Sequence, residues 1–306
     1  MPTLPEIPAA DRERLLARSV ARPGLADADL YVGREDELRT YLVRSRGRYA
    51  VSLELVLGLL RGRDAPRVLE LGAEHWLFTQ LLAEHGVVPT SAGRRPGIWR
   101  EDEALPSPHE VQLAWPGHEV ALEHHLFDVE RDRWPFADGS FDVVVCMEVL
   151  EHLAFSPAHL LYEANRVLAP GGALLLTTPN VLAATKLVRL ARGRNVHWAY
   201  SGYGPTGRHN REWTPVELAE ALRGAGFDAE LRVENVAGYE STGAERLAQR
   251  AAGALPLASR RDHLFATARA VRPPAISLPP ALYRSYDRDW LRAGGVVLPD
   301  ELDAAG

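Results

Sequence analysis

Two short, almost uninterrupted apolar runs constrain this chain more than any other feature: Phe141 to Met147 (FDVVVCM) and Ala173 to Thr178 (ALLLTT). A half-buried strand alternates apolar and polar residues, whereas runs like these suit central strands of a parallel sheet covered on both faces. Between them, Pro157 to Leu168 has helical spacing, with apolar residues at Leu160, Leu161, Ala164, Val167 and Leu168. Pro157 fits a first helical turn, and Pro170-Gly171-Gly172 ends the pattern. The unit is therefore strand–helix–strand with a right-handed crossover. In open sheets of this kind ligands sit beyond the carboxyl ends of the strands. Glu148, Glu151 and His152 follow the first run there, and Thr177, Thr178 and Asn180 close the second.

The flanking sequence extends the same pattern. Arg67 to Leu71 (RVLEL) reads as a further buried strand, followed by Gly72 and a helix near Trp76 to His85. Val87 to Thr90 and Glu119 to Phe127 read as the next strands, the latter leading into Asp128. The stretch from Ser91 to Gly117, with four prolines and no clear period, is expected to be an insertion or a mobile flap. Upstream, residues 1–28 suggest a loosely held arm, and Asp36–Arg44 and Tyr49–Leu60 suggest two helices broken at Gly47. Downstream come a basic helix over Val181–Arg194 and a glycine-rich, aromatic, basic stretch over Asn195–Trp213. A helix over Thr214–Ala225 follows, with Thr214 as N-cap, Pro215 in the first position, Glu217 completing a capping box and Gly226 at its end. Ala229–Val236 and Leu264–Ala270 are the last strands, around a helix at 243–253. The expected fold class is α/β: a Rossmann-like, doubly wound, seven-stranded, mostly parallel sheet with helices on both faces. An arm and helical cover (1–62) precede the main domain (63–271, with a cap at about 181–213), and a Pro-rich tail (272–306) follows it.

Composition excludes several classes. A 306-residue chain with 46% hydrophobic and 25% charged residues can bury a full core, and a net charge of −6 gives no broad nucleic-acid surface. No apolar run approaches the roughly 20 residues of a membrane span. The single cysteine, Cys146, lies inside a strand candidate and suits a reducing compartment. A cytoplasmic, membrane-free protein is expected. Its arginine-rich, lysine-poor composition points to a GC-rich bacterial source.

VLELG (68–72), WPFADGSFDVVVCMEVLEHL (134–153), RVLAPGGALLLTTPN (166–180) and GF (226–227) stand in an order and spacing that resembles the class I S-adenosylmethionine-dependent methyltransferases over residues 66–271. The resemblance implies S-adenosylmethionine as cofactor, held by Glu70, Gly72, Ala73, Asp128 and Val129. Glu70 would face the cationic methionine end, Gly72 would let the backbone approach the ligand, and Asp128 would accept from the adenine amino group. Two departures stand out. The family's acid-x-G-x-G-x-G loop is ELGAEHW here, with Glu74 and Trp76 in place of glycines. After Val87-Val88, where many members carry an acid for the ribose, this chain has Pro89-Thr90-Ser91.

In EVLEH (148–152), two carboxylates and an imidazole fall at i, i+3 and i+4, one face of a helical turn. This is a common donor set for a hard or borderline divalent ion. The pattern resembles ubiquinone-pathway O-methyltransferases and small-RNA 2′-O-methyltransferases, and the latter add a histidine ahead of an EWT-like segment. Resemblance thus nominates Glu148, Glu151, His152 and His209 as ligands of Mg²⁺ or another divalent metal. Without a metal, His152 or His209 is the candidate general base.

A small hydroxylated acceptor (sugar, polyketide, phenol or an envelope metabolite) fits this charge better than RNA. The cap aromatics Trp198, Tyr200 and Tyr203, with nearby arginines, are candidates to hold it. Two alternatives stay open: a metal-dependent RNA 2′-O-methyltransferase, and a non-catalytic binding or regulatory subunit suggested by the altered glycine loop. The sequence leaves the oligomeric state open.

Overall fold

The computed structural model describes residues 6–21, 35–73, 75–93, 107–197, 199–200, 207–236, 242–254, 258–276 and 282. In chain order the elements begin with α1 (Ala9–Leu16), β1 (Ser19–Ala21), α2 (Glu35–Leu60), β2 (Val68–Leu71), α3 (Leu77–Glu84) and β3 (Thr90–Gly93). Next come β4 (His109–Trp115), β5 (His118–Leu126), β6 (Phe141–Met147), α4 (Ala158–Val167) and β7 (Leu168–Pro179). The last are α5 (Ala184–Ala191), α6 (Pro215–Gly224), β8 (Phe227–Glu234), α7 (Gly243–Ala254) and β9 (His263–Ala270). No helix among the described residues is long and apolar enough to cross a membrane.

The strands form one sheet in the order β1-β4-β5-β3-β2-β6-β7-β9-β8. Its centre, from β5 to β7, is parallel, and both flanks are antiparallel. The sheet has nine strands rather than the expected seven. The two additional strands, β1 and β4, lie together at one edge.

β6 shows why its sequence is apolar throughout. Val144 and Cys146 join a core cluster with Leu160 and Leu161 of α4 and Leu218 and Leu222 of α6. Val143 and Val145 join a second cluster with Leu38, Leu42 and Val56 of α2 and Phe78 and Leu82 of α3. Successive side chains point to opposite faces, and here both faces are covered. Each fully buried Leu or Val contributes about 1.5–3 kcal/mol, so this strand anchors the layers on both sides.

Three expectations for the periphery are corrected. Residues 1–28 do not form a loose arm over their described part: Leu15 of α1 is fully buried, and β1 pairs with β4. The two expected helices are one, α2, unbroken at Gly47. Gly47 faces Val236, whose carbonyl oxygen would lie 3.1 Å from an added Cβ, so this glycine serves close packing. The expected flap over Ser91–Gly117 contains the end of β3 and all of β4, where His109, Val111, Leu113 and Trp115 alternate inward. Residues 94–106 lie outside the described residues. The late helix is capped as its sequence indicates: Thr214 Oγ1 accepts from Glu217 N (3.1 Å), and Glu217 Oε2 accepts from Thr214 N (3.0 Å).

Candidate active site

The parallel strands β2, β6 and β7 end side by side, and each delivers acids or hydroxyls to the same edge. At the end of β2, Glu70 is 3% exposed and accepts a 2.6 Å hydrogen bond from Thr79 Oγ1. Burial pushes its carboxyl up to about 7, against the pull of the Thr79 hydroxyl. Glu70, Gly72 and Ala73 line a cleft closed by Tyr41 and Arg48 of α2 and by His75. Gly72 has φ +73, and a Cβ there would meet Val149 Cγ2 at 2.8 Å. Glycine is thus required by contact with the EVLEH turn, a reason the sequence did not disclose. Trp76, at the place of the third glycine, adopts the left-handed φ of +55 that a glycine takes freely.

β3 runs from Thr90 to Gly93, later than expected. The position of a ribose acid at its carboxyl end therefore falls among residues outside those described, not at Pro89–Ser91. Asp128 follows β5, and its Oδ1 accepts from Glu130 N at 2.9 Å. Val129 packs against the main core cluster.

EVLEH does not fold as one helical turn. Glu148 has φ +55 and stands apart from the short 3₁₀ turn Leu150–His152. The i, i+3, i+4 geometry is therefore broken after its first residue. Glu148 forms an ion pair with Arg48 Nη1 (2.6 Å), lies 3.2 Å from His263 Nε2 and accepts from Thr177 Oγ1 (2.9 Å). Burial alone would raise the Glu148 carboxyl, but Arg48 and then His263 hold it well below the usual carboxylate range. Burial likewise opposes charge on His263, yet Glu148 and Asp262 raise it to about 9.

The other three nominated residues converge. Ligand atoms of Glu151, His152 and His209 lie within 4.8 Å of one another. Glu151 is fully buried; its Oε2 accepts from Thr178 Oγ1 at 2.9 Å. Its Oε1 has no hydrogen-bond partner and lies 4.0 Å from His152 Nε2 and 3.9 Å from His209 Nε2. Burial, reinforced by the charge of Glu148, lifts the Glu151 carboxyl well above its ordinary value. A buried carboxylate oxygen without a donor, facing two imidazoles, is a donor set that fits a divalent cation.

Chain segments distant in sequence hold this group. Asn210 N donates to Glu151 O (2.7 Å), Asn210 Nδ2 to His152 O (3.0 Å), and Val181 N to Trp213 O (3.0 Å). His209 Nδ1 lies 3.0 Å from Glu212 Oε1, and Glu212 Oε2 pairs with Lys186 Nζ. Burial would raise Glu212, but His209 and Lys186 keep it below its ordinary value. Arg48, Glu212, Asp262 and His263 were not singled out from the sequence. Only Glu212 left a local signal, as an acid three residues after His209. In the cap, Tyr200 is exposed with the Arg208 guanidinium 4.8 Å from its ring centre; Trp198 and Tyr203 lie outside the described residues.

A family profile described as a methyltransferase domain matches residues 41–231, more than half of the chain. A Mycolicibacterium smegmatis protein named "Probable S-adenosylmethionine-dependent methyltransferase" is 35% identical over 162 residues, covering 50% of this chain and 56% of that protein. The ubiquinone biosynthesis O-methyltransferase of Xanthomonas axonopodis pv. citri is 30% identical over 190 residues, covering 61% of this chain and 71% of that protein. The chain thus spans little more than half the length of the first of these relatives. A solved SAM-dependent methyltransferase from Archaeoglobus fulgidus is 16% identical with a TM-score of 0.47, covering 79% of this chain and 100% of that one.

Proposed function

Because the chain belongs to the class I S-adenosylmethionine-dependent methyltransferase family, we propose that it transfers a methyl group from S-adenosylmethionine to a hydroxyl of a small acceptor, with a divalent cation held by Glu151, His152 and His209. The observation that carries this reading is the donorless, fully buried Glu151 Oε1 facing two imidazole nitrogens beyond the ends of β6 and β7.

Each residue then has a task. Glu70 offers a buried carboxylate to the cationic methionine end of the cofactor, in a pocket where ion pairing is little screened. Gly72 and Ala73 supply backbone beside it, and Asp128 and Val129, past the end of β5, take the adenine side. Glu212 accepts from Nδ1 of His209, which fixes that ring with Nε2 facing Glu151. Thr178 and Asn210 hold Glu151 from its side chain and its backbone. A bound dication would supply the charge that lowers the pKa of an acceptor hydroxyl. Glu151 and the two histidines hold the acceptor end of the site in place, so the methyl and the oxygen can meet in line. In the absence of a metal, His152 or His209 is the group that would take the hydroxyl proton. A sugar, polyketide or phenol suits the chain's −6 charge. The buried, unpaired Cys146 supports a cytoplasmic setting.

The test is calorimetric titration of Mn²⁺ and of S-adenosylhomocysteine into wild-type protein and Glu151→Ala. Wild type should bind both. Glu151→Ala should lose about 100-fold or more in Mn²⁺ affinity, beyond the 10–100-fold typical of outer-shell changes, and keep its nucleoside affinity. Equal Mn²⁺ binding by the two proteins would remove the metal from the mechanism. A wild type that binds no S-adenosylhomocysteine would remove the transferase reading altogether.

A further inference from the structure

The loop after β2 has lost two glycines, yet Gly72, Ala73, His75 and Trp76 adopt a defined path with Trp76 in the left-handed region. Something other than glycine's freedom must hold it there. Two sets of contacts do so: one centred on the edge strands β1 and β4, the other from α1 and Arg18, the residue just before β1.

The first set buries the indole. Trp76 is 1% exposed and clusters with Ala73, Val111, Leu113, Trp115 and Leu122, with Val20 packed against them. Val111, Leu113 and Trp115 belong to β4, and Val20 to β1. The second set holds the backbone. The Arg18 guanidinium donates to the carbonyl of His75 and to Gln80 Oε1 (3.3 Å), while Gln80 Nε2 donates to the carbonyl of Leu15 (3.2 Å). Arg14 grips Glu84 at 3.1 and 2.8 Å, and Trp115 Nε1 donates to the same carboxylate at 2.9 Å. On the other side, the ring of His75 lies 4.3 Å from that of Tyr41. Residues 9–21 precede residue 41, where the family match begins, so their share of the bracing is additional to the matched domain, whereas β4 lies within it.

We infer that the segment Ala9–Ala21, with β4, is a built-in brace that holds the β2–α3 loop in its cofactor-binding shape, and that Arg18 is a positioning residue for cofactor binding. The inference rests on the reading that this loop receives S-adenosylmethionine. A loop fixed before the ligand arrives loses less conformational entropy on binding, and rigid support outside a site commonly sets its precision. The brace thus does for this chain what the missing glycines do elsewhere: it fixes the turn that brings backbone amides to the ligand.

The test compares full-length wild type, Arg18→Met, which keeps the aliphatic stem, and Arg18→Lys, which keeps the charge. S-adenosylhomocysteine and Mn²⁺ affinities are measured separately, with hydrogen exchange of the amides of residues 72–80 and of β6. Arg18→Met should weaken S-adenosylhomocysteine about tenfold and speed exchange at 72–80. Mn²⁺ affinity and exchange in β6 should stay at wild-type levels, and Arg18→Lys should recover part of the loss. Nucleoside affinity within twofold of wild type in Arg18→Met overturns the inference. So does a parallel loss of Mn²⁺ affinity with faster exchange throughout, which is general destabilisation. A wild type that does not bind the nucleoside overturns the transferase reading, and the inference with it. Normal wild-type binding with an unaffected Arg18→Met overturns the brace alone.

Discussion

The cleft at the end of β2 and the Glu151–His152–His209 cluster at the ends of β6 and β7 solve the same electrostatic problem in the same unfinished way. Each holds a buried glutamate, Glu70 in one and Glu151 in the other, and each glutamate accepts from one threonine hydroxyl. Burial raises both carboxyls above their ordinary range. Glu148 differs, although it is only three residues from Glu151. Arg48 and His263 pair with it and hold it low. A buried carboxylate costs several kcal/mol unless a cation joins it. At Glu148 the protein supplies that cation, whereas at Glu70 and Glu151 the proposed function gives the place to a ligand: an ammonium or sulfonium in one, a metal in the other. What teaches most here is therefore which acids the chain leaves without a cation of its own.

The largest expected effect tests the internally neutralised member. Glu148→Ala leaves Arg48 buried without its anion and His263 with Asp262 alone, and should destabilise the fold by about 3–5 kcal/mol, read as a lowered urea midpoint at unchanged slope. A loss under about 1 kcal/mol would mean the pair is no stronger than a surface ion pair, and the contrast with Glu70 and Glu151 would collapse.

The next prediction sharpens the acceptor side. Glu212→Ala frees the His209 ring without removing a ligand atom and should weaken Mn²⁺ about 10–100-fold, less than Glu151→Ala, while leaving S-adenosylhomocysteine binding alone. Should Glu212→Ala match Glu151→Ala in Mn²⁺ affinity, His209 would be organised from elsewhere.

The smallest effect is on the cofactor side and concerns pH. With its carboxyl raised from 4.5 to about 7, Glu70 keeps its proton below that pH and must release it to pair with a cation. S-adenosylhomocysteine affinity should therefore rise about tenfold from pH 6 to pH 8 and level off above. In Glu70→Gln it should be weaker and flat. A wild-type affinity that is itself flat over this range would show that Glu70 does not meet the cationic end.

Much of this was legible beforehand. The apolar runs of β6 and β7 marked a two-sided sheet because no amphipathic pattern would let one face meet water. The Thr214–Glu217 capping box was readable because its four residues are local. Glu148, Glu151, His152 and His209 were nominated as a group, and the fold brings the last three together. Illegible were the grouping of Glu148 with Arg48 and His263, the continuity of α2 through Gly47, and the identity of β4. Each depends on partners far along the chain: Arg48 is a hundred positions from Glu148, and Gly47 answers to Val236.

By itself, then, the sequence determined the layered sheet, the succession of its central strands along the chain and which chemical groups follow them, since apolar period and capping are set by near neighbours. Only the tertiary structure decided how those groups are shared out. A single left-handed residue at Glu148 aims one carboxylate at Arg48 and His263 and leaves Glu151 to the histidines. Two strands at the far edge decide whether a tryptophan can stand where a glycine is expected. Charge pairing and burial act through space, and the chain folds distant residues into the same space.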